Sequence, residues 1–113
     1  MPKANIKIRI PFDDVYAIGP GKADLLDAII EKGSISAAAK LMGMSYKRAW
    51  DLVDTMNKSF SQAIVITSTG GSRGGGAEVT AFGLDVLKRY RHLQLLASQA
   101  ISAEADALFA LLR

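Results

Sequence analysis

The chain has 113 residues, half of them hydrophobic and 22% charged, with a formal net charge of +3 and no cysteine. That length holds one modest core rather than two, the composition excludes a disordered tail, and the lack of thiols excludes disulfides and thiolate metal sites. The basic excess suits an anionic partner without requiring one.

Met1 to Ile10 alternates apolar and basic residues and lacks the continuous apolar stretch of a secretion signal. No later run reaches the ~20 apolar residues of a membrane span, so a cytoplasmic protein with no membrane partner is expected. Within that opening, Ile6, Ile8 and Ile10 alternate with Lys7 and Arg9, which predicts a half-buried strand over Asn5 to Ile10, ended by Pro11. From Gly21, residues Leu25, Leu26, Ile29 and Ile30 recur at helical spacing. Asp24 and Asp27 lie toward the positive end of this helix's dipole, and Gly33 is its stop. Ser34 is placed to cap a second, alanine-rich helix through Leu41, which stops at Met42, Gly43 and Met44. Ser45 is placed to cap a third helix to about Lys58, with Ala49, Leu52, Val53 and Met56 on its core face. The β-branched stretch Ile64 to Thr69, a glycine cluster and a short segment ending at Val79 predict a hairpin. Thr80 caps a last helix running to Arg113, longer than a small domain needs for its own core.

The order is strand, three helices, hairpin and long helix: a mainly α (α+β) domain over 1–113, its core at about 20–80. Two short helices joined through a glycine-containing turn, the second amphipathic and flanked by basic residues, have the pattern of a helix-turn-helix. With Ala49, Leu52, Val53 and Met56 buried, a turn of ~100° per residue points Lys47, Asp51, Asp54 and Lys58 outward and sets Arg48 and Trp50 on the flanks. Such helices read bases from their N-terminal part, which selects Ser45, Tyr46, Lys47, Arg48, Trp50 and Asp51. Lys47 and Arg48 suit phosphates or guanine edges, and the hydroxyls of Ser45 and Tyr46 suit phosphate. Trp50, the single tryptophan, lies between the two faces, and packing against the hairpin or a neighbouring helix is favoured for it over contact with a DNA backbone. Arg73 stands among Gly70, Gly71, Gly74, Gly75 and Gly76, a cation on a tip that allows close backbone approach.

Other chemistries find little support. The glycine cluster is not followed by the Lys-Ser or Lys-Thr of a phosphate-binding nucleotide loop. His92 is the single histidine and has no second soft ligand, so no metal or other cofactor is expected. No nucleophile, base and orienting acid fall together, so no enzyme is expected. The main alternative is a module that docks other proteins without touching DNA.

Gly33-Ser34-Ile35-Ser36 before an alanine helix, Ser45-Tyr46-Lys47-Arg48-Ala49-Trp50-Asp51, Met56-Asn57, the paired glycine runs, and Thr80 with Gly83 carry a more specific signal. Over roughly residues 20–92 they resemble the N-terminal DNA-binding domain of ModE-type molybdate-responsive transcriptional regulators, itself similar to the LysR-type helix-turn-helix. The resemblance implies a winged helix-turn-helix homodimer on a palindromic double-stranded operator near molybdenum-related genes, with Ser34 and Ser36 also at the DNA. Family members sense molybdate through C-terminal oxyanion-binding domains, so this chain, ending at Arg113, is not expected to bind molybdate directly. Independently, Val86, Leu87, Tyr90, Leu93, Ala97, Ile101, Leu108 and Leu112 form an apolar stripe that invites a second copy along the last helix.

Overall fold

A computed structural model describes residues 6–68 and 75–113. Its elements are β1 (Ile10–Phe12), β2 (Val15–Ile18), α1 (Pro20–Lys32), α2 (Ile35–Met42), α3 (Tyr46–Ser59), β3 (Val65–Ser68), β4 (Gly76–Val79) and α4 (Ala81–Phe109). The three short helices and the β3–β4 hairpin surround one core, in which Leu25, Leu26, Ile29, Met56 and Ile64 are fully buried. Each such side chain contributes about 1.5–3 kcal/mol relative to leaving it in water. This is a helix-turn-helix with a hairpin wing, as the residue pattern predicts.

The N-terminus departs from expectation. Residues 6–9 are not in a strand, and the pairing begins where it was predicted to stop: Ile10 to Phe12 pairs antiparallel with Val15 to Ile18. Pro11 sits inside β1, tolerated because the sheet has only two strands and the register slips between Ile10 and Pro11. Asp13, at φ 54°, takes the left-handed backbone that reverses the chain. The alternation of Ile6 to Ile10 is nonetheless real as burial: the isoleucines are half-buried while Lys7 and Arg9 are exposed.

The caps match the sequence. Ser34 Oγ accepts from Ala37 N at 3.1 Å, Ser45 Oγ from Arg48 N at 3.1 Å, and Thr80 Oγ1 from Gly83 N at 2.9 Å. Gly33 and Gly43 end α1 and α2 at φ 77° and 68°, a conformation other residues adopt only with strain. Asp24 and Asp27, by contrast, lie beyond the first turn of α1 and do not serve its dipole. They hold Arg91 of α4, whose guanidinium donates to Asp24 at 2.8 Å and Asp27 at 2.7 Å. The hydrogen bond that Arg91 donates to Asp24 leads the effects that raise the Arg91 pKa.

The final helix has 29 residues and stops at Phe109 rather than running to the terminus. At ~1.5 Å per residue it is on the order of 43 Å long, and the described chain measures 54 × 29 × 24 Å. Leu87 and Tyr90 of the expected stripe belong to the chain's own core, with Val86 packed against it. Leu93, Leu95, Leu96, Ile101 and Leu108, further along, remain exposed.

Candidate nucleic-acid interface

The site is built around α3. Its N-terminus follows a turn of Gly43, Met44 and Ser45 after α2, closed by Met44 N donating to Ala39 O at 3.0 Å. Ala49, Val53 and Met56 are buried and Leu52 is half-buried, so helical geometry turns the opposite face outward. That outer crest carries Lys47, Asp51, Asp54 and Lys58, as the spacing predicts.

The crest is electrically balanced. Lys47 Nζ meets Asp51 at 3.2 Å and Lys58 Nζ meets Asp54 at 2.8 Å, each one helical turn apart. The hydrogen bond and charge of Asp54 raise the Lys58 pKa. With side-chain exposures of 85% and 54%, the Lys47–Asp51 pair is a weak surface contact that a polyanion can displace.

Tyr46 and Trp50, one turn apart, stand on one flank of α3 and form the wall of a groove of about 770 Å³. Its other walls come from Ser34, Ser36 and Lys40 of the α2 region and from Ser68, Gly75 and Gly76 at the wing. Trp50 is 46% exposed, so it is not consumed by packing against the wing. The groove thus gathers Ser34, Ser36, Tyr46 and Trp50, while Ser45 is not in its lining and caps α3. Arg48 is turned to the opposite flank, with Leu52. Arg73, the expected wing cation, lies outside the described residues, as do the glycines at 70, 71 and 74.

Lys40 is the residue the sequence reading missed. Its signal was present: it follows Ser36 by four residues, on the outward side of α2, and no ion pair engages it among the described residues. His92 lies beside Leu93 and Leu96 on the exposed part of α4. No group of three or more potential metal ligands occurs among the described residues.

Hydrogen bonds from α3, from the hairpin's own ends and from the α1–α2 turn fix the root of the wing. The Asn57 amide oxygen accepts from Ile64 N at 2.8 Å and Val65 N at 3.1 Å, and its nitrogen donates to Val65 O at 3.0 Å. Thr80 Oγ1 donates to Ala63 O at 2.7 Å. Ala77 N, on β4, donates to Gly33 O at 2.9 Å, joining the hairpin to the α1–α2 turn. Gly83 completes the join, because a Cβ there would strike the Ile64 carbonyl and come within 2.9 Å of Val79 Cγ1.

No family model matches the chain. It is 37% identical over 92 residues to the molybdenum transport protein ModE of Azotobacter vinelandii, covering 81% of this chain and 34% of that protein. Over 104 residues it is 34% identical to the DNA-binding transcriptional dual regulator ModE of Escherichia coli K12, covering 92% and 40%. Over 84 residues it is 38% identical to the molybdenum-pterin-binding protein MopA of Rhodobacter capsulatus, covering 74% and 32%. The chain therefore spans 32–40% of the length of these relatives. Among solved structures it shares the fold of the CbnR DNA-binding domain crystallised with DNA, at TM-score 0.58 and 22% identity over 78% of this chain and 95% of that one. Full-length LysG of Corynebacterium glutamicum matches at TM-score 0.53 and 22% identity, over 79% of this chain and 29% of its own. The resemblance to ModE-type regulators and the winged-helix architecture are both present in these matches.

Proposed function

We propose that this chain is the sequence-reading part of a transcriptional regulator, binding double-stranded DNA as a homodimer on a palindromic operator of molybdenum-related genes. The observation that carries the reading is the groove in which α2, α3 and the wing converge, on a chain similar to the named ModE regulators over most of its length. In it, α3 enters the major groove. Lys47, Arg48 and Asp51 face base edges and phosphates, with Tyr46 and Trp50 against the sugar-phosphate wall. The first turn of α2, with the Ser36 hydroxyl and free backbone amides, receives a phosphate beside Ser34. Arg73, a cation in the glycine cluster, supplies a further phosphate contact. Residues 20–80 do the reading, and the helix beyond them brings two copies together. The protein acts in the cytoplasm and performs no catalysis.

A pool of random 30-base-pair duplexes, selected by the purified protein, tests this. The expected result is enrichment of a two-fold symmetric sequence with half-sites about one helical turn apart. Lys47→Ala combined with Arg48→Ala should reduce affinity for that sequence by on the order of 10²-fold while leaving the melting temperature unchanged. A protein that enriches nothing and forms no complex with duplex would be a docking module instead.

A further inference from the structure

A second groove, of about 280 Å³, lies on the flank of α3 opposite the wing. Four cations line it: Lys7 and Arg9 from the segment leading into β1, Lys22 from the first turn of α1, and Arg48 from α3. These three segments are far apart in sequence, and no carboxylate lines the groove. That is notable in a chain with 11 acidic residues, all of which lie among the described residues. The described chain pairs Lys47, Lys58, Arg89 and Arg91 with its own acids, whereas none of these four cations has such a partner.

The cluster is held in place rather than left to drift. Tyr90, buried in α4, donates its hydroxyl hydrogen to the Ile8 carbonyl, which fixes the backbone between Lys7 and Arg9. The Arg9 guanidinium sits 5.8 Å from the centre of the Tyr16 ring, and a Cβ on Gly19 would press to 3.2 Å from Arg9 Cγ. Lys22 is half-buried, and both that burial and the neighbouring Arg48 charge lower its pKa. Like charges brought together without a counter-charge destabilise one another. An anion between them relieves that cost.

We propose that this groove clamps the phosphodiester backbone of the bound duplex on the side of α3 away from the wing. The proposal rests on the duplex-binding reading above and adds Lys7, Arg9 and Lys22 to the interface. A backbone phosphate fits better than a free anion because Arg48 and Leu52 of α3 form one wall of the groove. A strand crossing there is continuous with the duplex that the crest of α3 faces. The wing and this cluster then hold the two borders of one major groove.

The test is fluorescence anisotropy with a 30-base-pair duplex of random sequence, titrated across a series of KCl concentrations. Each lost phosphate contact lowers the slope of log K against log salt by about 0.9. Lys7→Gln with Arg9→Gln should therefore flatten the slope by about 1.8, and Lys22→Met alone by about 0.9. Lys7→Arg with Lys22→Arg should retain it. The Lys22→Met protein should melt no lower than the parent, since it removes a half-buried charge, and so keeps the test valid if the double variant is destabilised. A parent with a steep slope and variants that keep that slope would overturn the clamp while leaving the duplex reading intact. A parent that binds no duplex would overturn both. Saturation of the groove by inorganic phosphate below millimolar concentration, with unchanged slopes, would make it a small-anion site and overturn the proposal.

Discussion

Asn57 holds the wing root with both ends of one amide, a role that no local pattern announces. Its partners Ile64 and Val65 lie seven and eight residues away across a turn, so only the folded chain brings them together. The capping serines and Thr80 were legible because a cap is satisfied within three residues of itself. The fate of Asp24 and Asp27 was not, because their partner Arg91 is more than sixty residues on. Asn57→Ala would strand two amide hydrogens and a carbonyl next to buried residues. It is expected to cost about 2–3 kcal/mol, seen as a fall of about 10 °C in melting temperature. A loss under about 0.5 kcal/mol would mean that water replaces the amide without penalty. Lys47 teaches a related lesson: its outward position was readable from helical period, but its neutralisation by Asp51 makes the crest of α3 less cationic than the bare sequence suggests.

At the level of elements, the three core helices and the wing follow from periodicity, caps and glycine stops that all agree. The β1–β2 hairpin was missed because Pro11 looks like a terminator, and a two-stranded sheet tolerates it. The alternation before it reported which side chains face inward, a property that survives even where no partner strand supplies hydrogen bonds. The segment is instead fastened by Tyr90, and that bond carries a pH signature. Burial chiefly raises the Tyr90 pKa in the folded chain, so folding favours the neutral phenol. Its contribution is complete below the ordinary tyrosine value near ~10 and is lost as pH climbs through the higher folded value. Tyr90→Phe should cost about 1 kcal/mol at neutral pH and flatten the decline of stability above ~10. Equal declines in parent and variant, followed by chemical denaturation, would remove Tyr90 as the cause.

For the molecule as a whole, α4 is the element whose purpose the described chain does not exhaust. Its first half closes the core through Leu87 and Tyr90, while Leu95 and Leu96 are more than half exposed further out. A monomer gains nothing from displaying them. Replacing both with Glu should leave the melting of an isolated chain within about 0.5 kcal/mol of the parent. It should also halve the mass in solution and weaken binding to a symmetric duplex by on the order of 10²-fold. A variant that keeps the parent's mass would remove α4 as the contact of the proposed dimer.

The hydrogen bond from Ala77 to the Gly33 carbonyl, set beside the Asn57 amide, leaves the hairpin root without a hinge. In the proposed dimer, each half would then behave like one rigid jaw of a pair of calipers. On that reading, a signal that lowered affinity for DNA would find little to bend within a jaw, and its lever would be the gap between the two.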